Sequence, residues 1–424
     1  MKKYLLLFGI ACLATFTHAQ ETAKKVLFIG NSYTYVNDLP SMIKQMGEST
    51  GDLIDYQQVT SGGASFNSHC NTTGAMEMIG QGGWDAVVLQ GQSQEPSFPW
   101  GQFMEQTYPY ACQLADAIYE KNDCAEVVFY MTWGRKNGDS YNAQFFDSLA
   151  TYEGMDDLLC ARYTYMAQQN KASVSPVGKV WRKLRADYPD IELYQSDESH
   201  PSVYGSYAAA CTFYTLFFLK DPSLIATNLS IDAATAQVIR DVAKSVVYDS
   251  LYLYSCHSFA SAKPVTDSLH WQFECLSSTT PETCTWDFGD GETSTETNPS
   301  HTFEPGTYTV TLVAGKACDP DTLSIEIVAV NDTVSPENPD PQNYIDESFE
   351  LQNSKFKFFP NPANTHFTVR TDKAGTLTII DSRGRMVKQI AVFDFKTVDI
   401  EDLPAGVYHI RIDNRIAGKL IKTK

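Results

Sequence analysis

The stretch Lys25-Val26-Leu27-Phe28-Ile29-Gly30-Asn31-Ser32-Tyr33-Thr34 decides how the first half of this chain is read. Val26 to Ile29 is a short, unbroken apolar run, the pattern of a strand buried on both faces of a parallel sheet. It stops at Gly30-Asn31-Ser32, and a helical period follows, with Leu39, Met42, Ile43 and Met46 at i, i+3, i+4 and i+7. In open α/β sheets ligands bind beyond the carboxyl ends of the strands. A helix amino terminus at the same place favours developing negative charge. Ser32 is therefore a candidate nucleophile. Taken alone, Asn31-Ser32 fits simple turn and cap chemistry just as well.

Working outward, residues 20–250 alternate short apolar runs with longer helical stretches. Strands are expected at 25–30, 52–59, 85–91, 126–132 and 191–195. Helices are expected near 39–49, 103–120, 150–168, 176–187, 203–219 and 232–247. Strands separated by helices make βαβ units, so the expected fold is α/β, three layers around a parallel sheet. The stretch 203–219 is apolar nearly all round, which predicts a buried core helix. From 262 to 330 the pattern changes to short alternating runs with an Asp290-Gly291 turn, the mark of hairpins in a small β-sandwich. Residues 331–354 hold three prolines, six acidic residues and no basic one, which predicts a linker. Residues 355–424 return to short strands, beginning at Phe356-Lys357-Phe358-Phe359, and read as a second small β-sandwich.

The chain has 424 residues, enough for several domains. Lys2-Lys3, an apolar run from Tyr4 to Phe16, and Thr17-His18-Ala19 form the pattern of a signal peptide, expected to be removed as residues 1–19. No later segment has membrane-spanning length. The formal net charge of −19 argues against nucleic acid and anionic membranes as partners. Of ten cysteines, Cys12 lies in the signal, which leaves an odd number whose connectivity spacing does not reveal. There is no CxxC and no HExxH, and the expected chemistry calls for no metal or organic cofactor.

Four expected strand ends carry groups suited to acyl transfer. The first holds Ser32. The second runs Thr60-Ser61-Gly62-Gly63-Ala64-Ser65, where a glycine N–H can approach a substrate oxygen closely. The third ends in Gln90-Gly91-Gln92-Ser93, which offers a side-chain amide. The fifth, read as 191–195, ends in Ser196-Asp197-Glu198-Ser199-His200-Pro201. In Asp197-x-x-His200 the carboxylate can accept from the imidazole Nδ1–H and leave Nε2 to take a serine proton. Glu198 is a competing acid. Trp133, Arg135 and His69 could line the pocket, although a structural role is the plainer reading of each. No G-x-S-x-G elbow, P-loop or dinucleotide fingerprint occurs.

Gly30-Asn31-Ser32, the glycine after the second strand and Asp197-x-x-His200 together resemble the SGNH (GDSL-type) hydrolase family over roughly 24–220. The resemblance includes Pro176-Val177-Gly178 and His200-Pro201-Ser202-x-x-Gly205-Ser206-Tyr207. It implies Ser32 as nucleophile, His200 as general base and Asp197 as its orienting partner. It also implies an oxyanion hole of the Ser32 N–H, the Gly63 N–H (Gly62 as the alternative) and the Gln92 side chain. The usual Gly-x-Asn-Asp is here Gly91-Gln92-Ser93-Gln94, a departure that bears on the identity of that last donor. Trp286-Asp287-Phe288-Gly289-Asp290-Gly291 and Gly306-Thr307-Tyr308-Thr309-Val310 resemble a PKD domain, in which Asp287 and Asp290 read as turn residues rather than calcium ligands. Residues 355–424 resemble the type IX secretion C-terminal sorting domain of Bacteroidetes. The implied protein is an exported or surface-attached esterase acting on acyl esters, acetyl esters first, of a small molecule or a polysaccharide, with the type IX secretion machinery as its partner. The alternatives are a non-catalytic glycan-binding protein on the same scaffold, or a lipase or thioesterase.

Overall fold

The computed structural model describes residues 23–264, 269–330, 356–359, 366–380, 386–401, 403, 406–412 and 415–422. The expected signal peptide and acidic linker lie outside them. The chain divides into two compact units, 1–333 and 334–424.

The first unit opens with a five-stranded parallel sheet: β1 Lys24–Gly30, β2 Ile54–Thr60, β3 Ala86–Leu89, β4 Glu126–Tyr130 and β5 Ser173–Ser175. Its order β2-β1-β3-β4-β5 is that of flavodoxin-like doubly wound sheets, and it puts the carboxyl end of β1 beside those of β2 and β3. Helices cover both faces. On one, Phe28 meets Phe213 and Phe217 edge-on. On the other, Phe129 meets Phe66. Each aromatic is fully or almost fully withdrawn from water, a burial that stabilises the layer by about 1.5–3 kcal/mol per side chain.

The helices that position the site are α1 Ser32–Tyr35, α2 Leu39–Glu48, α3 Phe66–Asn71, α4 Ala75–Gly80, α5 Trp100–Gln106, α6 Tyr108–Lys121, α7 Ser140–Ala143, α8 Tyr152–Gln169, α9 Val177–Asp187, α10 Val203–Phe218 and α11 Ala233–Val246. The expected helix at 103–120 is two helices, α5 and α6, because Pro109 cannot continue one and instead opens the next. Helix α10 is the expected core helix, buried from Gly205 to Phe217.

One expected strand is absent. Residues 191–195 form no strand; Tyr194 makes only an isolated bridge with Pro201. Leu193 and Tyr194 are buried, but Tyr194 packs edge-on against Trp181 of α9 rather than pairing along the sheet. The fifth strand is Ser173–Ser175, whose polar side chains conceal it. Ser173 Oγ donates to Glu126 Oε1 at 2.7 Å and accepts from the Cys256 N–H at 2.9 Å, so its hydroxyl is satisfied in the interior.

Beyond the α/β part lie two facing antiparallel sheets. One contains β6 Phe259–Pro264, β7 His270–Leu276 and β10 Ser300–Thr302; the other contains β8 Thr283–Asp287, β9 Thr293–Ser294, β11 Gly306–Lys316 and β12 Asp319–Ala329. Phe273, Trp286, Phe288, Phe303, Val310 and Leu312 form their common core. Asp287 and Asp290 serve turns and pairing: Asp287 accepts from the Gly289 N–H at 2.9 Å, and Asp290 binds His301 Nε2 at 2.7 Å. The β11–β12 hairpin reaches the α/β part. Cys318 at its tip forms a disulfide with Cys124, and Lys316 Nζ donates to the carbonyls of Asp123 and Ala125 at 3.0 and 2.7 Å.

The second unit holds β13 Phe356–Phe359, β14 His366–Ile380, β15 Met386–Asp399, β16 Gly406–Ile412 and β17 Arg415–Lys422 in antiparallel pairings. Phe367, Val369, Leu377, Ile379, Ile410 and Leu420 build its own core. Among the described residues no helix is long and apolar enough to cross a membrane.

Candidate active site

The turn after β1 is built by buried amides. Gly30 has no room for a side chain, since a Cβ there would lie 2.3 Å from Thr34 Oγ1 and 2.7 Å from Gln90 Oε1. Asn31 is extended and caps α1, its Oδ1 accepting from the Tyr33 N–H at 3.1 Å. Its Nδ2 donates to the carbonyls of Ala64 and Gly91 at 3.0 and 3.1 Å, which ties the turn to the loops after β2 and β3. Ser32 is thus the first residue of α1, on a backbone held from three sides.

His200 reaches this turn from 168 residues away, with Nε2 at 2.8 Å from Ser32 Oγ. Its Nδ1 is hydrogen-bonded to Asp197 Oδ2, and Asp197 Oδ1 accepts from the backbone N–H groups of Ser199 and His200 at 3.1 and 2.9 Å. Partial desolvation works against ionisation of Asp197, but the bonds from the His200 ring and these N–H groups hold its carboxyl below the usual range. The loop is not a strand end, as expected from the sequence, but the connection between α9 and α10. It is fastened by Asn37, whose Nδ2 donates to the carbonyls of Pro201 and Ser202 at 3.1 Å and to Ser206 Oγ at 2.9 Å. Glu198 does not compete for the imidazole. It adopts a left-handed conformation (φ 61°), and its carboxylate accepts from Asn137 Nδ2 at 2.9 Å.

Of the expected oxyanion donors, the Ser32 N–H opens α1, and the glycine and Gln92 lie on the two loops that Asn31 joins. Gly62 and Gly63 form the exposed turn after β2, with Gly63 at φ 67°. Gln92 is half-buried. Its Oε1 accepts from the N–H groups of Gln94 and Glu95 at 2.7 and 3.1 Å, so its own loop uses the oxygen and the NH2 end is the part that can donate.

The residues named as pocket candidates separate. Trp133 is fully buried, stacked on Tyr33 at 4.7 Å and on Trp181 at 3.7 Å between ring centroids. Arg135 donates to Gln94 Oε1 and pairs with Asp139 at 3.5 Å. His69 is buried beside the turn with Nδ1 2.9 Å from Thr73 Oγ1; burial lowers its pKa to about 4, which leaves it neutral. Gln90 is the residue that sequence reasoning undervalued. A polar side chain directly after the apolar run Val87 to Leu89 was the signal. It is fully buried, with Oε1 accepting from the Asn31 N–H and Nε2 donating to the Gly91 carbonyl.

Residues 259–328 match the PKD domain family model, and 357–423 match the secretion system C-terminal sorting domain, which marks the chain for export. No curated protein matches. Among solved structures, the chain is similar to a DUF4886 family protein from Bacteroides uniformis, at 17% identity over 54% of this chain and 95% of that one, with a TM-score of 0.46. It is also similar to the psychrotrophic esterase EstA from Pseudoalteromonas, at 10% identity over 45% and 94%, with a TM-score of 0.31. The PKD1 domain of the Vibrio cholerae metalloprotease PrtV matches at 28% identity over 17% and 96%, with a TM-score of 0.16. At these scores the likeness says nothing about chemistry, which is read from the side chains themselves.

Proposed function

We propose that this chain is an exported serine esterase of the SGNH type, with Ser32, His200 and Asp197 as its catalytic residues. The observation that carries the reading is the unbroken line from Ser32 Oγ through His200 Nε2 and Nδ1 to Asp197 Oδ2. In this reading Ser32 Oγ attacks the ester carbonyl while its proton passes to His200 Nε2, and Asp197 stabilises the imidazolium. The tetrahedral oxyanion is met by the N–H groups of Ser32 and Gly63 and by the Gln92 amide. His200 then protonates the leaving alcohol. Water, deprotonated by the same nitrogen, releases the acid from Ser32.

Export through the type IX route and the accompanying sandwich favour an acylated, most simply acetylated, carbohydrate met at or beyond the cell surface. In the same proposal residues 1–19 are a signal peptide, 20–250 the catalytic domain, 262–330 the PKD-like sandwich, 331–354 a linker and 355–424 the sorting domain. A fluorophosphonate probe tests the reading. The mature protein takes the label and Ser32→Ala does not. A wild type that takes no label favours a non-catalytic binder, and label surviving in Ser32→Ala moves the nucleophile elsewhere.

A further inference from the structure

The bonds inside Asp197-x-x-His200 orient the imidazole within its own loop, but they do not set where that loop stands relative to Ser32. The loop between α9 and α10 has neither helix nor strand at Asp197 to His200. Asn37 holds the residues after His200, from Pro201 to Ser206, and the residue before His200 needs an anchor of its own, because proton transfer from Oγ to Nε2 tolerates little misplacement.

Tyr33 is placed to do this. It directly follows Ser32 in α1, so its ring moves with the nucleophile turn. It is 2% exposed, and its Oη is 2.6 Å from Ser199 Oγ, the residue before His200. The ring also meets the His200 imidazole edge-on, at 5.6 Å and 76°. Its opposite contact is the Trp133 stack, at 4.7 Å and 7°, and Trp133 Nε1 donates to the Ser199 carbonyl at 3.1 Å. Burial raises the phenol's pKa, against opposing effects of Ser199, Arg135 and Ser93, so the hydroxyl keeps its proton at neutral pH. Ser199 is therefore gripped at its side chain by the turn that bears Ser32 and at its carbonyl by a tryptophan stacked on that same turn.

We infer that Tyr33 and Ser199 are a positioning pair: their hydrogen bond sets the Ser32–His200 distance for the reaction proposed above, on which this inference rests. Neither residue needs to touch the ester. Tyr33→Phe keeps both ring contacts and removes only the hydroxyl, and Ser199→Ala removes the partner on a half-buried loop position.

The test is a double-mutant cycle on the mature chain, read as fluorophosphonate labelling rate and as kcat and KM for p-nitrophenyl acetate. Each single variant is expected to lower kcat and labelling by about tenfold with KM changed less than about twofold, and the double variant to be no slower than the slower single. Thermal unfolding of the three variants shows whether the folded fraction accounts for any loss. Additive losses, losses that track the folded fraction, or variants that label as fast as wild type overturn the positioning pair alone. A wild type that takes no label overturns the hydrolase reading, and this inference with it.

Discussion

Gln90 Oε1 accepts the backbone N–H of Asn31 at 2.8 Å and the hydroxyl of Thr34 at 3.0 Å, from a side chain with no exposure to water. One carboxamide from the end of β3 therefore holds the turn at the end of β1 that presents Ser32. Gln90→Leu keeps approximate size but leaves the buried Asn31 N–H without this acceptor, a loss of about 1–3 kcal/mol. Chemical denaturation of the variant should show a lowered midpoint together with slower fluorophosphonate labelling. Unchanged stability would mean that the turn finds another acceptor.

Gln92 can be dissected by two substitutions. Its Oε1 caps its own loop through the N–H groups of Gln94 and Glu95, and Gln92→Glu retains an acceptor there while removing the amide donor. If the amide meets the oxyanion, Gln92→Glu and Gln92→Ala both lower kcat on the order of a hundredfold or more, as for other single oxyanion donors. Only the alanine variant should also loosen the loop, which limited proteolysis reports. A glutamate variant as fast as wild type would remove Gln92 from the site.

The Cys124–Cys318 disulfide spans 194 residues and joins the α/β part to the β11–β12 hairpin. Closing so long a loop restricts the unfolded chain by up to about 5 kcal/mol on a chain-entropy basis, with measured cases usually smaller. Replacing both cysteines by serine should lower the unfolding midpoint and leave labelling of Ser32 intact. A non-reducing peptide map that shows both thiols free would contradict the link.

His257 makes the same junction dependent on pH. Its Nδ1 is 2.9 Å from Asp321 Oδ1 and its Nε2 is 3.9 Å from Glu126 Oε2, while Lys24 Nζ also approaches Glu126 at 3.6 Å. Burial and Lys24 disfavour the imidazolium, but the bond to Asp321 and the Glu126 charge outweigh them, so its pKa is raised. The cation is bound better in the folded state. Its stabilisation is complete below the ordinary histidine value of about 6.5 and is lost as pH rises through the raised folded value. The unfolding midpoint of wild type should therefore converge on that of His257→Gln as pH increases. Parallel curves would show that the pair contributes nothing.

Much of this protein was legible in local pattern. The apolar run at β1, the helical periods of α2 and α10, and the alternation around Trp286 each carry a period that only one element satisfies. Asp197-x-x-His200 was legible too, because a three-residue spacing is enough to bond the carboxylate to Nδ1. What local pattern could not reveal depends on contacts distant in sequence. Ser173-Val174-Ser175 is a strand because Glu126 and the Cys256 N–H satisfy its first serine from 47 and 83 residues away. Leu193-Tyr194 looks like a strand but is buried by packing on α9.

The same division runs through the opening stretch. By itself the sequence determined that a strand ends at Gly30 and that a helix follows Ser32, since hydrophobic period and capping chemistry are local. Only the tertiary structure decided that Asn31 is clamped by Gln90, that Gln92 spends its oxygen on its own loop, and that His200 stands 2.8 Å from Ser32. Those outcomes depend on which buried polar groups meet across the sheet edge. A chain's periodicity does not encode that pairing, but the cost of leaving such groups unpaired enforces it.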